Sequence, residues 1–278
     1  DWSSDVCSSD LFMKKFWGFL LVIVLMTSCG EYQSLLKSND YNLVYKKAIE
    51  YYNKGDYQRA MNLLDGVRSV FVGQAKAQNI AYYRAFCSYN MKDYQIASDL
   101  FKQFIQTYPE SSFAEECLYM MGFCDYKASP KPRLDQQVTE KAIREFQLYL
   151  SRYPYSMRKD KVNTYMDEMR DKLSYKAYLS AKNYYLREHY KAAVISLQNC
   201  LKDYPGSKYR EEIMYMLFVS KYQMAVNSVE DKKVERYNNA REEYYYFADE
   251  YPNSRYAADV KKMYEDIEAY LENYKFED

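Results

Sequence analysis

The sequence predicts an all-α protein, an α-solenoid of five helix-turn-helix repeats followed by a C-terminal capping helix. Three observations lead to this fold. The 278 residues include 35 tyrosines and only 7 glycines, which is typical of helices that pack through amphipathic aromatic side chains. An alanine recurs once in each of five repeats, and the sequence Tyr-Pro-x-Ser occurs four times. The recurring alanines are Ala60, Ala97, Ala142, Ala193 and Ala240.

The second helix of each repeat contains the recurring alanine, and the proline ends it. In the last four repeats a proline follows the alanine after twelve residues. Proline cannot continue a helix, because it lacks an N–H donor and clashes with the preceding turn. The serine two places later is expected to cap the next helix. The four phrases are Tyr108–Ser111, Tyr153–Ser156, Tyr204–Ser207 and Tyr251–Ser254.

A short turn precedes the second helix, as at Lys54–Asp56 and Met91–Asp93. A bulky residue stands four places after each alanine, so both side chains lie on one helical face. We expect the small alanine to let two helices approach while the large side chain fills the space beside it. The bulky residues are Leu64, Phe101, Phe146, Leu197 and Tyr244.

Amphipathic segments upstream of the turns predict the first helices, for example Tyr41–Asn53 and Ala75–Asn90. The stretch from about Met157 to Arg187 holds no helix breaker and predicts one helix of roughly 45 Å. Loops between paired helices are predicted at Ser129–Gln136 and Asn227–Lys233, and the last segment, Arg255–Tyr274, is predicted to cap the stack.

The helix-turn-helix unit resembles the tetratricopeptide repeat, whose period is near 34 residues. The alanines here are 37, 45, 51 and 47 residues apart, so the resemblance implies stacked hairpins with longer loops and one longer helix. The predicted domains are an N-terminal half of three repeats, 37–156, and a C-terminal half of two repeats and the cap, 157–278.

The N-terminal residues are interpreted as a non-native extension followed by an export signal. Residues 1–12 carry no apolar period and precede Met13, so they are interpreted as a non-native extension. Residues 13–28 predict a lipoprotein signal peptide, with a basic start at Lys14 and Lys15 and an apolar run over Phe16–Met26. That run is shorter than the ~20 apolar residues that span a bilayer.

Small residues before Cys29 resemble the lipobox of bacterial lipoproteins. The resemblance implies that Cys29 carries a diacylglycerol and an N-acyl chain, with residues 29–36 as a lipidated linker. It also implies a protein anchored in the outer membrane and facing the periplasm, because no Asp follows the cysteine. The alternatives are an ordinary signal peptide or an uncleaved anchor.

Composition argues against several classes of function. Lys and Arg number 39, as do Asp and Glu, so no basic excess supports nucleic-acid binding. The cysteines lack metal-site spacing, and Cys87, Cys117, Cys124 and Cys200 are predicted to be buried free thiols. No phosphate-binding loop or nucleophile with a nearby base is found, so we predict a protein that is not an enzyme and binds no metal or cofactor beyond the lipid.

Two further features are interpreted as ordinary surface. The only histidine, His189, occupies the turn position held by Asp56 and Asp93 in other repeats, which favours a surface turn residue over a catalytic base. Acidic runs such as Glu242-Glu243 alternate with Lys and Arg and are interpreted as solvated faces.

The first helices of repeats 1 and 2 carry matching amides and aromatic rings. In stacked helical hairpins these helices line the inner groove, where amides can hydrogen-bond an extended peptide and rings can receive its aromatic side chains. The alternative is that the tyrosines only pack helix on helix. The candidate peptide-binding residues are Asn42, Tyr45, Tyr52, Asn53, Asn79, Tyr82, Phe86, Tyr89 and Asn90, with Ile49 above Phe86.

The lipobox, the five repeats, the charged loop before Ala142 and the stretch from Asp171 to Pro205 together resemble the BamD family of lipoproteins of the β-barrel assembly machinery. The resemblance implies a periplasmic scaffold whose first repeats receive unfolded outer-membrane proteins. It also implies that the part from Met157 onward docks on the barrel-forming subunit, through that subunit's periplasmic repeat domains. The alternatives are a glycan- or nutrient-binding lipoprotein and a peptidoglycan or division adaptor.

Overall fold

The computed structural model describes residues 30–274, and this part of the chain is helical, with twelve helices and no strand. Cys29 and the predicted signal peptide lie outside the described residues. The helices are α1 (residues 30–36), α2 (Tyr41–Asn53), α3 (Tyr57–Val67), α4 (Ala75–Asn90), α5 (Tyr94–Thr107), α6 (Ala114–Ala128), α7 (Gln137–Arg152), α8 (Lys159–Leu186), α9 (Tyr190–Asp203), α10 (Arg210–Val226), α11 (Glu230–Glu250) and α12 (Ala257–Tyr274).

Helices α2 and α3, α4 and α5, α8 and α9, and α10 and α11 pair as the sequence predicts, and α12 packs on the last pair. Helices α6 and α7 meet through the rings of Tyr119 and Phe146. Helices α2 and α4 have the predicted ends, and the long helix without a breaker is α8, of 28 residues. First helices of consecutive repeats also touch, as α2 touches α4 and α8 touches α10. The predicted all-α fold of stacked hairpins with a final capping helix is confirmed.

The contacts divide the chain into two compact units. Of the described residues, one unit holds 30–129 together with Lys141–Ser156, and the other holds Pro130–Glu140 together with 157–274. Within the first unit, Val44, Leu63 and Ile80 belong to one apolar cluster. In the second unit, separate clusters form around α8 to α10 and around α10 to α12.

The recurring alanines lie in the packed interior between the helices. All five are fully buried, and so are four of the five bulky residues that follow them. The fifth, Tyr244, is half-buried and stacks on Tyr264 with ring centroids 4.0 Å apart. The predicted pairing of a small with a large side chain is therefore confirmed in the core.

The Tyr-Pro-x-Ser phrase forms a hydrogen-bonded turn at the end of the second helix in repeats 2 to 5. Each helix stops one residue before the tyrosine, and the serine N–H donates to the tyrosine carbonyl, at 3.2 Å for Ser111 and 3.0 Å for Ser207. The prediction that the serine caps the next helix is wrong. A further turn follows, so the helix-capping position falls two residues later, at Phe113 and Tyr209.

The serine hydroxyl instead ties the turn to the first helix of its own repeat. Ser111 Oγ donates to Gln78 Oε1 at 2.8 Å, and Ser254 Oγ donates to Glu211 Oε1 at 2.7 Å. In the fourth repeat the partner of Ser207 is the Ser174 hydroxyl, at 2.8 Å. The hydroxyl thus closes each hairpin at its open end.

Two local predictions need correction. The loop at Ser129–Gln136 is confirmed, but the predicted loop Asn227–Lys233 is only three residues long, because α11 begins at Glu230. Acidic side chains at the start of a helix stabilise it by interacting with its dipole, and Glu230 and Asp231 lie there. Likewise Glu243 is not solvated: it is buried and pairs with Lys221 Nζ at 2.5 Å.

None of the helices in the described part of the chain is both long enough and apolar enough to cross a membrane.

Candidate functional site

An open groove lies between the first helices of repeats 1 and 2, α2 and α4. Its volume is about 510 Å³. Four of the predicted site residues line it, together with Ile49 and four residues that the sequence analysis did not select. The predicted residues are Tyr45, Asn53, Asn79 and Tyr82, and the additional ones are Lys46, Glu50, Tyr83 and Phe113.

Tyr82 forms the floor of the groove. Its ring lies among aromatic neighbours, with centroids 4.5 Å from Phe86 and 4.6 Å from Phe113. Its hydroxyl donates to Glu116 Oε2 at 2.8 Å. Burial, and then the hydrogen bond to Glu116, raise the pKa of the Tyr82 phenol, so it remains a neutral donor at physiological pH.

The other predicted residues serve the packing of the helices rather than the groove wall. Tyr52 packs edge-on against Tyr83 at 4.9 Å, and burial raises the pKa of its phenol to about 12. Asn90 Nδ2 donates to the Phe86 carbonyl within α4 at 2.9 Å. Phe86 packs against Phe101 at 5.0 Å.

The remaining two predicted residues also lie outside the groove wall. Tyr89 packs near Tyr94, with ring centroids 5.9 Å apart. Asn42 lies at the exposed start of α2, where its Oδ1 accepts from Lys76 Nζ at 2.6 Å.

The groove carries a lysine at a position that three other junctions fill with an aromatic residue. At three of the four Tyr-Pro-x-Ser turns, the aromatic residue two places after the serine covers a tyrosine of the preceding repeat, whereas Arg158 takes this position after Ser156 at the remaining turn. The ring centroids are 4.6 Å apart for Phe113 on Tyr82, 4.3 Å for Tyr209 on Tyr178 and 4.0 Å for Tyr256 on Tyr215.

At the junction of repeats 1 and 2, Phe71–Gln74 replaces the Tyr-Pro-x-Ser phrase and makes the same backbone turn. The covering position two places later is Lys76, whose ammonium lies 5.6 Å from the centroid of the Tyr45 ring. A flexible cationic chain leaves the Tyr45 ring partly uncovered, whereas a rigid ring would cover it. Tyr45 is half-buried and lines the groove, as does Tyr82.

The groove can therefore offer three kinds of contact. The rings of Tyr45 and Tyr82 provide apolar faces, and the amides of Asn53 and Asn79 can each donate and accept hydrogen bonds. The ammonium of Lys76, beside Tyr45, adds a positive charge at one border. This combination suits an extended peptide with an aromatic side chain better than a small polar metabolite.

Four groove residues, Phe113, Lys46, Glu50 and Tyr83, were not predicted from the sequence. The prediction rests on matching positions of two first helices, whereas Phe113 enters the groove from the turn before the third repeat. Lys46 and Glu50 directly follow Tyr45 and Ile49 in the sequence and are four residues apart, so they lie together on the adjacent side of α2. That spacing was the available signal for the two charged residues.

The described residues hold no group of three or more His, Cys, Asp or Glu side chains able to bind a metal. His189 is exposed and occupies the turn position before α9, with backbone angles close to those of Asp56 and Asp93, as predicted. The four cysteines of the described part are free and buried, as predicted. Burial raises the pKa of Cys87 and Cys117 to about 12, which makes these thiols poor nucleophiles.

Comparison with protein families decides the relationship. The model of a family described as outer membrane lipoprotein, YfiO, matches residues 37–212 and 176–277. The chain is a member of the YfiO family of outer membrane lipoproteins. The match covers the five repeats and the last helix, so the family relation concerns the repeat fold itself.

Two solved structures that are similar to this YfiO-family chain are TPR proteins. A TPR repeats protein from Bacteroides fragilis is 13% identical, with a TM-score of 0.41 over 84% of this chain and 99% of that one. The TPR2AB domain of yeast Sti1, in complex with an Hsp90 peptide, is 14% identical, with a TM-score of 0.37 over 82% and 98%. Neither score supports an argument about function. Among curated proteins there is no significant match.

Proposed function

We propose that this YfiO-family chain is a periplasm-facing scaffold of the β-barrel assembly machinery. In this proposal the first two repeats bind unfolded outer-membrane proteins, and the part from Met157 onward docks on the barrel-forming subunit. The family relation and the family resemblance of the sequence support the proposal. The observation that carries it is the open groove lined by Tyr45, Asn53, Asn79 and Tyr82.

The groove suits the carboxy-terminal segment of an unfolded barrel protein. An extended backbone would lie along the groove and exchange hydrogen bonds with Asn53 and Asn79. An aromatic side chain would pack against Tyr45 and Tyr82, whose ring faces provide most of the binding free energy. The ammonium of Lys76 would meet the chain-end carboxylate, which gives a preference for a free carboxy terminus.

Lipidation of Cys29 supplies the membrane attachment in this proposal. Two or more acyl chains on one residue give durable anchoring, since each buried methylene contributes about 0.8 kcal/mol. The scaffold would then act by binding and positioning its partners, without a reactive centre. Recovery of a barrel-forming protein with periplasmic repeat domains on affinity purification would support this role, and recovery of a glycan importer would contradict it.

Binding of peptides copied from barrel carboxy termini tests the groove. Replacing Tyr45 by Ala should weaken binding about tenfold, equivalent to about 1.4 kcal/mol, because an aromatic contact is lost. Titration calorimetry with the same peptide, free or amidated at its carboxy terminus, measures this effect and the role of the terminal charge. Tyr155, which is 98% exposed, provides the matched control.

Tyr155→Ala should bind the peptide with unchanged affinity and keep the wild-type melting temperature. Tyr82 is unsuitable for truncation, because its ring packs on Phe86 and Phe113 and its loss would disturb the fold. Equal affinity of the wild type and Tyr45→Ala would remove the groove from the proposal.

A further inference from the structure

The residues directly after Cys29 form a docked helix. Helix α1 begins no later than Gly30, and two of its side chains enter the apolar core of the first hairpin. Tyr32 is 9% exposed and Leu35 is 5% exposed. A free linker at this place would leave both side chains in solvent.

Polar contacts hold α1 to both helices of the first hairpin. Asn62 Nδ2 on α3 donates to the Tyr32 hydroxyl at 3.0 Å, and the Arg59 guanidinium lies 5.3 Å from the centroid of the Tyr32 ring. On the α2 side, the Tyr51 ring packs edge-on against Tyr32 at 5.9 Å. Glu31 Oε1 pairs with Lys47 Nζ at 3.0 Å.

These contacts place the start of α1 close to the groove. Lys47 Nζ, which pairs with Glu31, also pairs with Glu50 Oε2 at 3.2 Å, and Glu50 lines the groove. Cys29 directly precedes Gly30 in the sequence, so a single peptide bond joins the predicted lipidation site to α1. Seven extended residues would reach about 25 Å, whereas the seven helical residues of α1 span about 10 Å and are fixed in place.

We propose that α1 is a clamp that fixes the lipid anchor against the first hairpin, so that the groove opens at the lipid headgroup surface. The partner of the protein surface around α1 is then the bilayer itself. This inference rests on the proposed lipidation of Cys29. It deepens the proposed function, since an incoming chain end would be received at the membrane surface into which the barrel inserts.

Quenching by labelled lipids tests the clamp in the full-length lipidated protein. A fluorophore is attached at Asn53→Cys, an exposed groove residue. The buried thiols of Cys87, Cys117, Cys124 and Cys200 should react slowly. The protein is placed in vesicles of phosphatidylethanolamine and phosphatidylglycerol that carry a spin label on the headgroup. We expect strong quenching in the wild type.

Two variants release the groove from the surface by different means. Tyr32→Ser combined with Leu35→Ser frees α1 from the core, and quenching should fall several-fold. A flexible Gly-Ser segment of about ten residues, inserted between Cys29 and Gly30, lengthens the tether without touching the fold, and it should reduce quenching to a similar extent. Unchanged quenching with the inserted segment would overturn the clamp, even if the double variant fails to fold.

Separate readouts distinguish the clamp from the proposed function. Cys29→Ser should release the protein from vesicles, and its retention there would contradict the anchor and with it the clamp. Peptide affinity in detergent solution reports on the groove and should be the same with and without the inserted segment. A membrane-bound wild type that shows no quenching would overturn the clamp while the groove proposal stands.

Discussion

Lys76 distinguishes the first groove from the three later junctions that carry an aromatic residue at this position. It occupies the position where Phe113, Tyr209 and Tyr256 cover a tyrosine of the preceding repeat. Its ammonium lies over the Tyr45 ring and donates to Asn42. With a lysine at this position, the ring of Tyr45 stays accessible and is not covered by another ring.

Replacing Lys76 by Phe should close the groove. The new ring would cover Tyr45 as Phe113 covers Tyr82, and peptide binding should weaken more than tenfold. An aromatic pair contributes about 0.5–1.5 kcal/mol, so the melting temperature should stay level or rise. Lys76→Gln, which removes the charge without a ring, is the matched control and should lose only the preference for a free carboxy terminus. Full peptide affinity in Lys76→Phe would contradict this account of the opening.

Glu145 is the most unusual acidic residue of the first unit. It is 8% exposed, and its Oε2 makes no hydrogen bond within the described residues. Asp125, 2% exposed, lies beside it and accepts from Lys141 Nζ at 2.9 Å. Burial, and then the hydrogen bond and charge of Asp125, raise the pKa of Glu145 to about 8, against the weaker effects of Lys141 and Lys102.

This raised pKa predicts a pH-dependent stability. A carboxyl group whose pKa is higher in the folded than in the unfolded state contributes stability below the unfolded pKa, near 4.5, and loses it as the pH rises toward 8. Glu145→Gln keeps the neutral shape and should remove this slope, which is at most about 1.4 kcal/mol per pH unit. Denaturant unfolding between pH 5 and 8 measures both proteins. If the free energy of unfolding changes with pH in the same way in the wild type and in Glu145→Gln, the raised pKa of Glu145 is contradicted.

Residue-level features divide into those that sequence spacing reveals and those that it does not. The buried alanines could be predicted, because a small residue four places before a large one defines a packing face within one helix. The covering role of Phe113 and the ion pair of Glu243 could not be predicted, because each depends on a side chain from another helix. Comparison of two repeats predicted Tyr45 and Tyr82, and both line the groove. It also predicted Tyr52, whose ring packs against Tyr83 instead.

At the scale of helices, the turn after each second helix shows how local chemistry gives a repeated shape. Pro109 and its three equivalents end the helix, and the backbone then closes a turn to the serine N–H. The sequence predicted the end of the second helix in repeats 2 to 5 from proline alone. It did not predict the start of the next helix. The extra turn after the serine accompanies a hydrogen bond between the serine hydroxyl and the first helix of the same repeat.

Close approach of α6 and α7 depends on one glycine. A Cβ added at Gly122 would lie 2.9 Å from a Phe146 ring carbon, and Phe146 is fully buried and cannot move freely. Gly122→Ala should therefore lower the free energy of unfolding by about 1–3 kcal/mol.

Gly66 in α3 provides the control for that substitution. Nothing lies within 4 Å of a Cβ added there, so Gly66→Ala should stabilise the protein by about 0.4–1 kcal/mol. Denaturant unfolding measures the two variants side by side. A stabilising Gly122→Ala would show that the two helices are not as tightly packed as the contact to Phe146 indicates.

At the scale of the whole molecule, the sequence predicted the fold because every repeat carries its own signals for helix, turn and core. The 28-residue α8 and the capping helix α12 followed from the absence of breakers and from the last apolar face. The groove could be predicted only in part, since its opening depends on which side chain reaches across from the next repeat. The division of roles between the first repeats and the part from Met157 onward stays a prediction.

The central claim is that the groove between α2 and α4 holds unfolded outer-membrane proteins during barrel assembly. Photo-cross-linking in cells tests it most directly, with a photoreactive amino acid in place of Asn53 in the groove and, as control, in place of Tyr155. We predict cross-links from position 53 to the carboxy-terminal segments of unfolded barrel proteins, and few from position 155. Equal cross-linking from both positions, or none from position 53, would contradict the account.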